Sequence, residues 1–211
     1  WECPAAEVQL GGGWAFPAPD TDRKIPIREA FQWAEAKHGT LGVTGWYNTP
    51  KDVHGDYRGG TIGASPAYSF TAHVAEVEAV AETGVVDVVK LWIAHDCGRA
   101  LNPTLVEGQL EGSAYMGFGE ALMEAQLFKD PDQGRAGLVD GPSLLDYRIP
   151  TSLDTPELES LLVESIGPEG PYGAKEAWER PLLPSIPAIA NAIHDAVGVR
   201  MTRLPFSPPA V

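Results

Sequence analysis

The chain has 211 residues, 44% of them hydrophobic and 21% charged, which is enough apolar material to bury the core of one large domain or two small ones. Its formal net charge of −14 repels phosphate backbones, so no nucleic-acid partner is expected. No apolar run reaches membrane-spanning length and the opening residues do not read as a signal peptide, so a soluble, cytoplasmic protein is the expectation.

The 23 glycines and 19 prolines place much of the chain in turns and irregular segments. The chain opens on Trp1, not Met, which reads as a processed product or as one part of a longer gene product, and 204–209 reads as a C-terminal tail. Residues 1–25 are Gly- and Pro-rich with little periodicity, and Gly11-Gly12-Gly13 reads as a simple turn. The next segment, 26–35, reads as a short helix ending at His38-Gly39. A short strand is expected at 41–46 and a polar loop at 47–66. Two β-rich runs, 68–80 and 85–94, are joined by a turn containing Gly84 and read as a hairpin. Asn102-Pro103 carries a helix start, a capping side chain followed by proline at the first helical position, and the helix is expected to run to about Phe128. Its glycines, Gly108, Gly112, Gly117 and Gly119, each cost on the order of 1 kcal/mol relative to alanine. Close packing against another helix accounts for that cost, and so does a bulky ligand. Residues 129–157 read as loop and short strand, and 158–166 as a strand. A glycine-bearing loop follows at 167–173. A final helix at 183–197 carries an apolar stripe of Ile186, Ile189, Ala190, Ile193 and Val197. The fold class is therefore α+β, with mixed sheets, a β-hairpin and two principal helices.

The histidines are His38, His54, His73, His95 and His194, and no His-x-x-x-His or Cys-x-x-Cys pair occurs. A metal held by protein side chains is not expected. Cys3 and Cys97 are too few for a disulfide framework or an iron–sulfur site. His95 beside Asp96 reads as a satisfied structural histidine, and His194 as a surface residue. Nucleophile-elbow and phosphate-loop patterns are missing. Lys175, Glu176 and Glu179 follow the glycine loop. A carboxylate there is either a solvated loop residue or, held in a cleft, a base whose pKa burial raises.

Four segments carry a resemblance. The first runs through 68–77 to His95-Asp96-Cys97-Gly98-Arg99-Ala100-Leu101-Asn102-Pro103. The second is Gly108-Gln109-Leu110-Glu111-Gly112, followed by Gly117-Phe118-Gly119. The third is Leu145-Asp146-Tyr147-Arg148-Ile149-Pro150, and the fourth Gly173-Ala174-Lys175-Glu176-Ala177-Trp178-Glu179-Arg180-Pro181 with 187–199 behind it. In this order the chain resembles the C-terminal part of the molybdenum-binding large subunit of the xanthine dehydrogenase/aldehyde oxidase family, nearest the 4-hydroxybenzoyl-CoA reductase-like bacterial branch. The resemblance covers 58–211 and, more loosely, 1–57. It implies that residues 1–211 form one portion of a molybdopterin-binding domain. It further implies that Gln109, between Gly108 and Gly112, hydrogen-bonds the cofactor, with Gly173 and Lys175 in a second cofactor-binding loop. Glu179 then falls at the catalytic base. Trp178 stands where the family has glycine, and Arg180 where it has proline or glycine. The implied cofactor is molybdopterin, as the cytosine dinucleotide, carrying molybdenum on its own dithiolene. The implied partners are the remaining large-subunit segment, an iron–sulfur subunit with [2Fe-2S] clusters, an FAD subunit and a small-molecule substrate. The implied reaction is hydroxylation of an aromatic, heterocyclic or aldehyde substrate, or reductive dehydroxylation of an aromatic acyl-CoA. The alternative is a non-catalytic chain that structurally completes a partner.

Overall fold

In a computed structural model of the chain, residues 1–18, 20–48, 55–57, 60–62, 67–130 and 137–211 are described. The chain divides into two compact units, Trp1–Asn48 and Thr49–Val211.

In the first unit, β1 (Val8–Gly11) and β2 (Trp14–Pro17) pair antiparallel, and β3 (Ile25–Pro26) adds to β2. The β1–β2 turn is Gly12-Gly13, with φ of +56° and +83°. Two successive left-handed residues match the twist of a tight hairpin, and glycine adopts them without strain. The little periodicity of 1–25 in sequence has a physical reason, because strands of two to four residues are too short to show a period. Helix α1 (Ile27–His38) forms as expected and stops at Gly39, whose N–H reaches Glu35 O at 2.9 Å. The strand expected at 41–46 does not form. A strand needs a neighbour for its backbone groups, and here Val43 is 99% exposed.

In the second unit, the centre is a three-stranded sheet whose middle strand, 85–96, lies between 71–80 and 157–163. The expected hairpin is β6 (Thr71–Val80) with β7 (Val85–Asp96), and β10 (Glu157–Val163) joins the far edge of β7 in parallel. Two short strands, β4 (Gly55–Tyr57) and β5 (Gly60–Ile62), lie within the expected polar loop, whose other residues from 49 to 66 are outside the described ones. Helix α2 (Pro103–Leu122) starts where expected: Asn102 Oδ1 accepts from Leu105 N at 3.2 Å. It ends earlier than the expected Phe128. Gly119 O takes both Met123 N and Glu124 N at 2.9 Å, and 127–128 becomes β8 (Leu127–Phe128), paired with β9 (Val139–Asp140). The Pro150 ring lies against Gly119 in the last turn, and Tyr115 OH donates to the Pro150 carbonyl.

Helix α3 (Leu182–Val197) packs on β6 and α2, with Ser185, Ile189 and Ile193 buried at i, i+4 and i+8. Ile189 and Ile193 meet Val88 and Leu91 of β7, Phe118 and Ala121 of α2, and Phe206. Each fully buried apolar side chain contributes about 1.5–3 kcal/mol. The glycines of α2 divide in two. A Cβ at Gly117 would lie 2.4 Å from Leu182 O and 2.8 Å from Ser185 Cβ, whereas Gly108 and Gly112 face nothing within 4 Å. The α+β class with mixed sheets and a hairpin holds, and α1 is a third helix, in the first unit.

Candidate active site

The resembling segments meet where β7 ends. Gly98 bridges Ala174, Arg99 N donates to Gly173 O at 3.0 Å, and Lys175 N to Cys97 O at 2.8 Å. Two backbones approach this closely only without side chains between them: a Cβ at Gly98 would lie 2.4 Å from Gly173 O, and one at Gly173 would lie 2.5 Å from Ile166 Cγ2. Gly173 thus has a packing reason of its own.

Asp96 anchors the junction. Its Oδ2 takes Lys175 Nζ at 2.6 Å, and its Oδ1 accepts from Gly98 N at 3.1 Å and Ser165 N at 3.2 Å. Burial pushes the carboxyl up, but the Lys175 hydrogen bond, the two backbone N–H groups and the Lys175 charge outweigh it and hold Asp96 below the usual carboxylate range. The Lys175 ammonium is therefore engaged by Asp96 and Ser165. Cys97 is buried, chiefly by which its thiol is pushed up.

His95 is wholly buried with both ring nitrogens occupied, as expected of a structural histidine. Nε2 lies 3.0 Å from Glu176 O and Nδ1 2.7 Å from Thr71 Oγ1. His73 Nδ1 lies 3.0 Å from Ser185 Oγ, while its Nε2 is buried without a partner among the described residues. Burial, then the repulsion the two rings would feel if both were protonated, lowers His73 to about 4. His194, read as a surface residue, is half-buried in α3.

The loop from Gly173 to Arg180 forms a wall of two recesses. One, of about 380 Å³, is lined by Glu176, Trp178, Glu179, Arg180, Leu182 and Leu183. Glu176 accepts from Ser69 Oγ at 2.9 Å and pairs with Arg180 Nε. Glu179 is exposed, so this chain does not bury it as a cleft-held base would be. Its carbonyl accepts from Leu182 N at the start of α3, which fixes its backbone. The other recess, of about 300 Å³, is lined by Gln109, Arg99, Asn102, Leu105, Lys175 and Ala177 among others. Gln109 Nε2 donates to Ser113 Oγ at 3.4 Å, and Ser113 Oγ donates to Trp178 O at 3.3 Å, so the two recesses share a hydrogen-bonded partition.

The structure thus gathers Gln109, Gly173, Lys175 and Glu179 around one loop, with Gly108 and Gly112 on the open side of the helix carrying Gln109. Sequence reasoning missed Arg99 and Asn102 as lining residues, and Ser69, Thr71 and Ser113 as supports. Asn102 was legible only as a cap, and the others had no local signal. A larger recess of about 490 Å³, lined by Lys129, Asp140, Tyr147 and Arg148 among others, contains none of the expected residues. No group of three or more His, Cys, Asp or Glu side chains is placed to hold a metal among the described residues. No helix among them is long and apolar enough to cross a membrane.

Comparison with known proteins gives these surfaces a context. Residues 1–156 match the molybdopterin cofactor-binding domain family. Gln109 lies within that span and Glu179 beyond it. The xanthine dehydrogenase molybdenum-binding subunit of Escherichia coli O157:H7 is 42% identical over 123 residues, 58% of this chain and 16% of that protein. The nicotine 6-hydroxylase large subunit of Paenarthrobacter nicotinovorans is 36% identical over 149 residues, 69% of this chain and 18% of that protein. Quinoline 2-oxidoreductase from Pseudomonas putida 86 superposes on 99% of this chain and 26% of its own, with a TM-score of 0.65 and 25% identity. The chain thus spans less than a fifth of the length of these two curated relatives. It belongs to the molybdopterin cofactor-binding domain family.

Proposed function

We propose that this chain supplies one wall of the cofactor cradle and the proton-accepting carboxylate of a molybdenum-cofactor oxidoreductase. The observation that carries the reading is the shared partition: Gln109 and Glu179 face separate recesses on either side of one loop, linked through Ser113 and the Trp178 carbonyl. The donors fit the group. Gln109 offers an amide N–H, Arg99 a guanidinium for phosphate oxygens, and the bare backbone at Gly108 and Gly112 admits a flat ring system close to the helix. When bound, the molybdenum cofactor supplies the two-electron redox chemistry. Gln109 orients the pterin edge, and Lys175 contributes its aliphatic stem, its ammonium being held by Asp96. Glu179 takes up and holds a proton at its carboxylate as substrate is oxidised, and the remainder of the enzyme covers it from solvent. Trp178, Leu182 and Leu183 give the substrate an apolar surface.

The finer reading is a cytosine-dinucleotide form of the cofactor, [2Fe-2S] and FAD partner chains, and a small aromatic, heterocyclic or aldehyde substrate. Reductive dehydroxylation, as in the 4-hydroxybenzoyl-CoA reductase branch, uses the same residues in the opposite direction. The deciding experiment is Glu179→Gln in the assembled enzyme. Molybdenum and pterin content stay near wild type while turnover falls by on the order of a thousandfold or more. Near-normal turnover in that variant overturns the assignment.

A further inference from the structure

Residues 174–179, between the short 3₁₀ turn Pro171–Gly173 and α3, form no helix or extended strand, so their path is set by tertiary attachments. The attachment on Glu176, three residues before Glu179, is a buried side chain. His95 Nε2 lies 3.0 Å from Glu176 O. A carbonyl oxygen only accepts, so Nε2 carries the ring proton. The other nitrogen, Nδ1, is then an acceptor, and the Thr71 hydroxyl 2.7 Å away donates to it. His95 itself stands on the most constrained strand of the unit, paired with Thr71 of β6 on one side and Leu162 of β10 on the other. The ring is 0% exposed, so no water competes for either contact. On the next residue, Asp96 captures the Lys175 ammonium at 2.6 Å. Two adjacent residues of β7 thus clasp two adjacent residues of the loop, one through backbone and one through side chain.

We infer that His95, held as the Nε2–H tautomer between Thr71 and the Glu176 carbonyl, is a positioning residue that sets the place of Glu179. The inference rests on the proposed role of Glu179. An apolar residue of similar size would fill the same space, but it would release the Glu176 carbonyl and leave 176–177 untied between the attachments at Lys175 and Trp178. Ser69 and Arg180 on the Glu176 carboxylate hold a side chain that can rotate about its own bonds, whereas His95 holds the main chain on the approach to Glu179, as Ser113 and Leu182 hold it at Trp178 and Glu179.

The test uses His95→Leu, which keeps bulk and loses both polar contacts, and His95→Gln, whose side-chain amide reaches the Nε2 position with a donor. In the assembled enzyme His95→Leu retains molybdenum, keeps KM within about twofold and lowers kcat by about tenfold or more, while His95→Gln recovers most of that loss. Combined with Glu179→Gln, His95→Leu lowers kcat by less than about twofold, because no base remains to be misplaced. Two readouts are independent of activity. Nitrogen-15 NMR of the intact protein finds the proton of His95 on Nε2, and hydrogen exchange across 174–181 quickens in His95→Leu. If His95→Leu does not fold, Thr71→Val, which removes only the donor to Nδ1, still lowers kcat by about threefold at constant KM. The inference is overturned by an Nδ1–H tautomer, by unchanged kcat in the variant that folds, by a His95→Gln as impaired as His95→Leu, or by losses that multiply with Glu179→Gln. Near-normal turnover of Glu179→Gln alone would instead overturn the proposed function.

Discussion

The same substitution at two glycines of α2 should move stability in opposite directions. In Gly117→Ala the new methyl group would sit 2.4 Å from Leu182 O and 2.8 Å from Ser185 Cβ. The first obstacle is backbone, so α3 must shift away from α2, disturbing Ser185 and the apolar cluster of Phe118, Ile189 and Ile193 beneath it. Overpacking of this kind costs about 1–3 kcal/mol, and alanine's better helix propensity, about 1 kcal/mol, does not offset the larger part of that range. At Gly112 the new methyl group meets nothing within 4 Å, so the propensity gain of up to about 1 kcal/mol remains. The propensity gain is common to both, so the two variants should differ by the overpacking cost, about 1–3 kcal/mol. Urea unfolding of each, read as a change in midpoint at constant slope, measures it. A Gly117→Ala protein as stable as the parent would refute the close α2–α3 contact. In the assembled enzyme Gly112→Ala has a second effect if Gly112 faces the pterin: molybdenum content falls although the fold gains stability.

Lys175→Met strands the buried Asp96 carboxylate and should lower stability by about 3 kcal/mol, measurable by thermal unfolding. Because the folded pKa of Asp96 is depressed, its contribution is fully present above the ordinary carboxylate range and fades as pH falls through the folded value, so the Lys175→Met deficit should shrink in strong acid. His73, lowered from 6.5 to about 4, has the same sign for a different reason. Between those values the unfolded chain binds more protons, so stability declines as pH falls from 6.5 towards 4, by about 1–2 kcal/mol once its partial exposure is allowed for. His73→Asn should flatten that slope in unfolding curves at pH 7 and pH 5, and an unchanged slope would exclude His73 as its source. Ile189→Ala, at a fully buried position of α3, should cost about 2–5 kcal/mol by the same assay.

The sequence carried the elements whose signals are local. The β6–β7 alternation, the Asn102-Pro103 start and the Ile189/Ile193 stripe each depend on near neighbours in the chain. The missing strand at 41–46 failed for want of a partner, which no local window reveals, and α2 stopped six residues short of Phe128, where 127–128 pair instead with 139–140. At the site, motif order brought Gln109 and Glu179 forward, but not the architecture between them. Ser113, Ser69 and Thr71 look like ordinary strand and helix residues until the fold sets them against Trp178, Glu176 and His95. Lys175 shows the limit differently. Its place in the loop was legible, while the direction of its ammonium depended on Asp96, 79 positions away.

The Gln109–Ser113–Trp178 partition has a thermodynamic consequence. Gln109 spends its amide on Ser113 through a long 3.4 Å bond, an interaction readily exchanged for a better acceptor. A ligand that draws Gln109 outward removes the donor that polarises the Ser113 hydroxyl, and so loosens that hydroxyl's bond to the Trp178 carbonyl in the wall of the neighbouring recess. Occupancy of one recess is then felt in the other, and linkage makes the effect reciprocal: whatever factor the first ligand imposes on the second, the second returns to the first.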